Sequence, residues 1–152
     1  MKDVTEKIFG AVVIKFIIQV SVYIVLGTSN AVAAEEIKGQ VTHVRDADTI
    51  EVRGVPIRFD GVDAPELDEP GGAEGKKWMV SNYSGKMVRC VLTGAKTYDR
   101  WVGTCFGSKG ENLSAGVIAA VLARDCPRYS KGRYKKYETS LSRSRPMKPY
   151  CR

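Results

Sequence analysis

A β-hairpin signal near the middle of the chain is the feature that most limits the possible folds. Apolar side chains recur through residues 49–52 and 55–62, which are separated by the dipeptide Arg53-Gly54. A two-residue connection of this kind favours a tight turn between antiparallel strands. The hairpin therefore predicts that Thr49 lies opposite Arg58.

The rest of the chain is predicted to alternate short strands with short helices. The expected strands are 37–45, 86–92 and 101–106, and the expected helices are 73–83, 112–124 and 133–142. Five strands and three short flanking helices predict an α+β fold, arranged as a closed or partly open antiparallel barrel. The oligonucleotide-binding barrel (OB-fold) is one such architecture.

The first 33 residues have the layout of a signal peptide. Lys2 and Lys7 precede an apolar stretch, and Ala31-Val32-Ala33 supplies a small-residue exit. We predict a signal peptide over 1–33, a single domain over 34–152 and export from the cytoplasm, secreted or periplasmic. The alternative is an uncleaved anchor that leaves the protein on a membrane. The apolar run after Lys15 is short for a membrane span of about twenty residues.

All four cysteines lie after the predicted leader, which favours two disulfides in an exported protein. Cys90 and Cys105 are symmetrical about a turn near 97–98, so this spacing favours their pairing and leaves Cys126 to pair with Cys151. A zinc site is a weaker alternative, because the chain has no C-x-x-C motif and a single histidine.

The charge of the chain is positive and uneven. The net charge is +7, and residues 124–152 form a basic C-terminal tail with ten Lys or Arg against two acidic residues. This distribution favours a polyanionic partner, of which nucleic acid is the commonest. A merely solvated surface is the alternative.

Acidic residues cluster beside the predicted hairpin. Asp46 and Asp48 precede it, while Asp63 and Glu66 follow Arg58 closely. Carboxylates can hold a hard cation or act as a base, and arginine matches phosphate geometry, so the set suits metal-assisted attack on a phosphodiester. Strict strand alternation places Asp48 and Arg58 on opposite faces, so their convergence requires a strand break at Asp48. The alternative is a salt bridge with two Asp-rich turns.

Residues 40–145 resemble the thermonuclease (staphylococcal nuclease-like) family. The resemblance rests on Val44-Arg45-Asp46-Ala47-Asp48-Thr49, on Ile57-Arg58 with Asp63-Ala64-Pro65-Glu66, and on Tyr98-Asp99-Arg100. The family usually has glycine where Asp99 stands. The resemblance implies a five-stranded oligonucleotide-binding barrel and a Ca²⁺-dependent endonuclease that hydrolyses DNA and RNA with low sequence specificity, leaving 3′-phosphate products.

The resemblance also implies roles for individual residues. Asp48 and Asp63 are expected to bind Ca²⁺ through their carboxylates, and Ala64 through its backbone carbonyl. Glu66 matches the proposed general base, and the arginines expected to hold the scissile phosphate are Arg58 and Arg100. The tyrosines expected to line the nucleotide site are Tyr98 and Tyr129.

Nucleic acid is the expected partner, as substrate of a monomer with no stable protein partner. Two other readings stay open at this point. One is an exported oligonucleotide-binding barrel that binds nucleic acid without catalysis. The other is a disulfide-stapled structural or adhesion domain whose positive charge meets anionic surface polymers.

Overall fold

The computed structural model describes residues 35–152. The predicted signal peptide, residues 1–33, lies outside the described residues. Within 35–152, no helix combines the length and the apolar character needed to cross a membrane.

Seven strands and four α-helices make up the described part of the chain. The strands are β1 (Glu36–Val44), β2 (Thr49–Val52), β3 (Val55–Phe59), β4 (Val62–Asp63), β5 (Met87–Thr97), β6 (Arg100–Gly107) and β7 (Arg124–Asp125). The helices are α1 (Gly72–Tyr83), α2 (Leu113–Ala119), α3 (Pro127–Ser130) and α4 (Ser140–Ser144), with 3₁₀ turns at Lys135–Tyr137 and Pro149–Cys151. The α+β class with short helices is confirmed.

The hairpin of β2 and β3 forms in the predicted register. Arg53 and Gly54 both have positive φ angles, 53° and 78°. This backbone matches the type I′ turn, whose twist suits two antiparallel strands. Thr49 pairs with Arg58, as the hairpin predicts.

Five of the strands close into a ring in the order β1-β2-β3-β6-β5, because β5 pairs with both β6 and β1. The sheet is mixed, since β3 and β6 are parallel while the other neighbours are antiparallel. The expectation of a purely antiparallel sheet was wrong at this seam. Between β3 and β6 the chain forms β4, α1 and β5, and β6 then lies beside β3 and runs in the same direction.

The interior of the ring is apolar and is covered by α1 and α2. Its fully buried members include Ile50, Ile57, Phe59, Met79, Leu113, Val117 and Ile118. They come from alternate positions on the strands and from one side of each helix, so burial follows the sequence periodicity.

The helices after residue 110 differ from those predicted. Asn112 caps α2 by accepting a hydrogen bond from the amide of Ala115, as expected, but the helix ends at Ala119 rather than near 124. Val121 adopts a left-handed φ of 64°, which a continuous helix does not allow. The single helix expected over 133–142 was also wrong. Thr139 starts α4 with a capping box, so the segment divides into a 3₁₀ turn and a separate helix.

Both predicted disulfides are confirmed. Cys90 and Cys105 face each other in register across β5 and β6. Cys126, just before α3, is bonded to Cys151 in the C-terminal 3₁₀ turn. The second bond therefore attaches the end of the chain to the body of the fold.

We expect each disulfide to contribute about 3 kcal/mol to the free energy of unfolding, because the closed loops of 15 and 25 residues restrict the unfolded chain. Urea unfolding of a Cys90→Ala/Cys105→Ala variant and of a Cys126→Ala/Cys151→Ala variant measures each contribution against the oxidised wild type. A midpoint that does not move in either variant would contradict this expectation.

Candidate active site at one end of the ring

The chain bends out of the sheet just before β2, and this bend aims Asp48. The amides of Arg45 and Asp46 both donate to the carbonyl of Thr49, and the amide of Asp48 donates to Asp46 Oδ1 at 2.9 Å. These bonds form a tight turn that ends where the strand begins. Asp48 therefore lies outside the strand alternation, which is the break that its convergence with Arg58 requires.

The carboxylate of Asp48 is buried and holds three elements together. Its Oδ1 lies 2.6 Å from Nη1 of Arg58 on β3 and accepts the hydroxyl of Thr49 at 3.0 Å. Its Oδ2 accepts the amide of Ala64 at 3.3 Å. Asp48, Arg58 and Ala64 thus form one hydrogen-bonded group.

The second predicted acid, Asp63, is positioned by the short pair of β4 and β7, in which it lies opposite Arg124. Its side chain is buried, and Oδ2 accepts the backbone amide of Lys148 at 3.1 Å. Its Oδ1 is buried and has no hydrogen-bond partner among residues 35–152. A buried carboxylate oxygen without a partner is energetically costly, and a bound cation would satisfy it.

Burial disfavours the charged forms of both carboxyl groups. It raises the pKa of Asp48 to about 7, although Arg58 opposes the shift. Burial likewise raises the pKa of Asp63, against the hydrogen bond from the amide of Lys148. A divalent cation bound at either carboxyl group would favour its charged form.

The oxygens of the two acids are not equally available to a metal ion. Both oxygens of Asp48 accept hydrogen bonds from protein groups, whereas Oδ1 of Asp63 has no partner in the described range. Across residues 35–152, no three His, Cys, Asp or Glu side chains gather into a metal-binding cluster, so Asp48, Asp63 and Glu66 do not form one cluster. Two carboxylates, the carbonyl of Ala64 and waters are oxygen donors of the kind that Ca²⁺ prefers.

The remaining predicted site residues meet in one cleft of about 650 Å³. This phosphate cleft, as we call it, is lined by Arg58, Glu66, Arg100, Tyr98 and Tyr129 among others. Asp63 and Ala64 line a second cleft, of about 760 Å³, on the other side of their loop. Asp48 lies buried and is hydrogen-bonded to residues of both clefts.

Glu66 is solvent-exposed at the phosphate cleft and is held by its backbone. Its amide donates to Oε2 of Glu69 at 2.9 Å. The start of α1 packs so closely on this loop that a side chain at Gly72 would collide with the carbonyl of Glu66. The loop conformation is thereby fixed while the Glu66 carboxylate remains open to water.

The side chain of Arg100 can line the cleft without forming an ion pair with Asp99, because Asp99 pairs with Arg45. The Asp99 carboxylate binds Nη1 of Arg45 at 2.8 Å, and this hydrogen bond lowers the pKa of Asp99. Arg100 instead donates to the hydroxyl of Thr49 at 3.2 Å, which directs it to the Arg58 end of the ring. The carboxylate of Asp99 therefore does not occupy Arg100 beside it.

Sequence reasoning missed two residues that border the site, Lys148 and Tyr150. Tyr150 lines the phosphate cleft, and the backbone of Lys148 contacts Asp63. No local motif marks either residue. The only signal in the sequence was the pairing of Cys126 with Cys151, which brings the end of the chain to this surface.

No family model matches the chain. A curated relative, the succinoglycan biosynthesis protein ExoI of Rhizobium meliloti (strain 1021), is 38% identical over 120 residues. The match covers 72% of this chain and 62% of that protein, so the chain spans less than two thirds of the relative's length. The nuclease interpretation therefore depends on the motifs and on the site geometry.

The raised pKa of Asp48 predicts how the stability of the metal-free protein depends on pH. The folded state releases the Asp48 proton, and so completes the ion pair with Arg58, only as the pH approaches about 7, whereas the unfolded chain loses the proton near its ordinary pKa of 3.8. The contribution of Asp48 to stability is therefore greatest at low pH and is lost as the pH rises through about 7. In EDTA, Asp48→Asn should remove this loss, which is on the order of 4 kcal/mol for a shift of this size.

The measurement is urea unfolding of wild type and variant at several pH values between about 4 and 8. Asp68→Asn, at an exposed position, is the matched control and should follow the wild type. A difference between wild type and Asp48→Asn that is independent of pH would show that Asp48 does not titrate in this range.

Proposed function

We propose that this protein is an exported, Ca²⁺-dependent endonuclease that hydrolyses the phosphodiester bonds of DNA and RNA with low sequence specificity, leaving 3′-phosphate products. The closed ring would be its oligonucleotide-binding barrel. The observation that carries the proposal is the meeting of Arg58, Arg100 and Glu66 in one cleft, beside the buried Asp48. The polarity of cleavage is taken from the family resemblance alone.

Asp48, Asp63 and the carbonyl of Ala64 would hold the Ca²⁺. When bound, the ion would offset charge on the phosphate and help to place the attacking water. The unpaired Oδ1 of Asp63 and the raised pKa values of both acids support this assignment.

Arg58 and Arg100 would bind the phosphate at its non-bridging oxygens. Arg58 donates from Nη1 to Asp48 and from Nη2 to the carbonyl of Val62 at 3.4 Å, and its side chain lines the phosphate cleft. Attack on the phosphorus builds negative charge on these oxygens, so fixed guanidinium groups stabilise the transition state more than the ground state.

Glu66 would act as the general base. It is an exposed carboxylate on a fixed loop of the same cleft, so it can reach a water next to the bound phosphate and accept its proton. Glu66 takes the proton of the water, and the resulting hydroxide forms a new P–O bond as the bond from phosphorus to the 5′ oxygen breaks. The 5′ oxygen leaves as a hydroxyl group with a proton from water, which gives a 3′-phosphate and a 5′-hydroxyl product.

Binding of the nucleic acid would draw on the cleft rim and on the Lys and Arg side chains of the basic C-terminal tail. Tyr98 is 94% exposed and Tyr129 is 53% exposed, so both offer aromatic faces for bases. The Lys and Arg side chains of the tail would contact the sugar-phosphate backbone whatever the base sequence. Binding would therefore weaken as the salt concentration rises. Two disulfides support an oxidising location outside the cytoplasm.

The named relative favours one further candidate. The succinoglycan biosynthesis protein ExoI is 38% identical to this chain over 120 residues. The second candidate function is therefore a role in the synthesis of such a polysaccharide. Co-sedimentation of the purified protein with succinoglycan, in parallel with DNA and RNA digestion, separates the two. Binding to the polysaccharide without cleavage of either nucleic acid would favour the second candidate.

Metal removal is the direct test of the cofactor. Digestion of single-stranded DNA and of RNA by the purified protein should stop in a Ca²⁺ chelator and return when Ca²⁺ is restored, because Asp48 and Asp63 are expected to bind the ion. Gel electrophoresis of the products measures both. Cleavage that continues in the chelator would exclude the metal role.

Replacement of the cleft residues tests the chemistry. Glu66→Gln and Arg100→Ala should each lower kcat on the order of 100-fold or more, since each removes a group that acts on the transition state. Matched controls are Glu74→Gln, at an exposed acid on α1, and Arg89→Ala, where the arginine pairs with Glu36 away from the cleft.

Circular dichroism and urea unfolding of the four variants check that each is folded. Control variants as slow as the cleft variants would remove the assignment of roles, and so would cleft variants as fast as the wild type. A folded wild type that binds DNA but never cleaves it would instead indicate the non-catalytic barrel.

A further inference from the structure

The last residues of the chain form a strap over the candidate site. We define this C-terminal strap as residues 146–151. The amide of Lys148 donates to Oδ2 of Asp63 at 3.1 Å, and Tyr150 lines the phosphate cleft beside Arg58 and Glu66. One short segment thus touches both the proposed metal side and the proposed phosphate side of the site.

The strap is fixed at two points. Cys151 is bonded to Cys126, which itself lines the phosphate cleft, and the amide of Cys151 closes the 3₁₀ turn by donating to the carbonyl of Lys148. The ammonium of Lys148 forms an ion pair with Glu69. Tyr150 lies between these attachments, so its ring has a defined position.

The surroundings of Tyr150 distinguish it from the tyrosines at the rim. Its side chain is 43% exposed, and the charges that most influence the pKa of its hydroxyl are those of Asp63 and Arg58. Burial, followed by Asp63, raises the pKa of Tyr150, so the hydroxyl stays protonated as a donor at neutral pH. The almost fully exposed Tyr98 has a position suited to a base instead.

We propose that Tyr150 is a substrate-contacting residue, whose hydroxyl donates a hydrogen bond to a phosphate oxygen of the nucleic acid next to Arg58, and that the Cys126–Cys151 disulfide is required to hold it there. This inference rests on the proposed function, because it assigns a further contact to the same cleft. Neither the sequence motifs nor the family resemblance included Tyr150.

The phosphate assignment follows from the charge around the hydroxyl. Beside the Arg58 guanidinium a phosphate is the expected occupant, since arginine and a neutral hydroxyl can share its oxygens. The same strap donates the amide of Lys148 to the carboxylate of Asp63, while Tyr150 and Arg58 line one cleft, so Tyr150 adds a neutral donor beside the guanidinium and no further negative charge.

The first test compares Tyr150→Phe with Tyr137→Phe. Tyr137 is a partly exposed tyrosine in the 3₁₀ turn Lys135–Tyr137, and its hydroxyl is not part of the cleft lining. Steady-state cleavage of a single-stranded oligonucleotide in Ca²⁺ should fall about 10-fold or more in kcat/KM for Tyr150→Phe, because a hydrogen bond to a charged group is lost. Tyr137→Phe should match the wild type.

Equal kcat/KM values for the two variants would overturn the contact. A wild type that does not cleave would refute the nuclease proposal. In that case the affinity of each variant for an oligonucleotide tests whether Tyr150 contacts nucleic acid. Fluorescence anisotropy of a labelled oligonucleotide, with a chelator present, should show weaker binding by Tyr150→Phe than by Tyr137→Phe. Equal binding by the two would overturn the inference in that case too.

The second test removes the strap's attachment. Cys126→Ala/Cys151→Ala should lose at least as much kcat/KM as Tyr150→Phe, because the strap is released together with the tyrosine. Cys90→Ala/Cys105→Ala is the matched control, since its disulfide lies across β5 and β6 and neither cysteine lines the phosphate cleft.

Both double variants lose one disulfide of similar loop size, so a general loss of stability would affect them alike. Assays well below the melting temperatures of both, confirmed by circular dichroism, keep them folded. Equal activity in the two double variants would overturn the requirement for the strap disulfide.

Discussion

The buried ion pair of Asp48 and Arg58 is the interaction on which the arrangement of the site depends. It joins the turn before β2 to the middle of β3, and the second oxygen of Asp48 extends the link to the amide of Ala64. Removing one partner of a buried pair commonly costs about 3–5 kcal/mol, because the remaining charge stays buried. The pair therefore holds these two loops in one geometry, and together with the hydrogen bond from Nη2 to the carbonyl of Val62 it keeps the Arg58 guanidinium at the edge of the cleft.

The closed ring brings three separate parts of the sequence to the same end. The turn before β2, the loop after β4 and the tip of the hairpin between β5 and β6 carry Asp48, Glu66 and Arg100, and each is attached to a strand with a defined register. The ion pair between Arg45 and Asp99 links the first of these to the third. Side chains on loops keep a precise position only when the strands that carry the loops are rigid. A closed ring of strands has no free edge, and it provides that support.

A domain of this size buries a small core, and its two disulfides stabilise different parts of the fold. The bond across β5 and β6 reinforces strands that are already paired. The bond from Cys126 to Cys151 acts together with the contacts of Lys148 to Asp63 and Glu69, and it holds the end of the chain in the wall of the cleft. Small domains commonly use such bonds to supplement the core. Here the second bond also holds the chain next to Tyr150, which lines the cleft.

The sequence by itself determined the local elements and the identity of most candidate residues. The hairpin register, the start of α1, the cap at Asn112 and both disulfide pairings follow from turn chemistry, periodicity and spacing, which act over a few residues or through a symmetric hairpin. Tertiary structure decided what depends on distant contacts. The parallel pairing of β3 with β6, the early end of α2, the pairing of Asp99 with Arg45 and the arrival of Tyr150 beside Arg58 each join parts of the chain whose meeting no local pattern encodes. Backbone strain at Val121 and burial at Asp63 are likewise set by neighbours far along the sequence, because packing and desolvation exist only once the chain has folded.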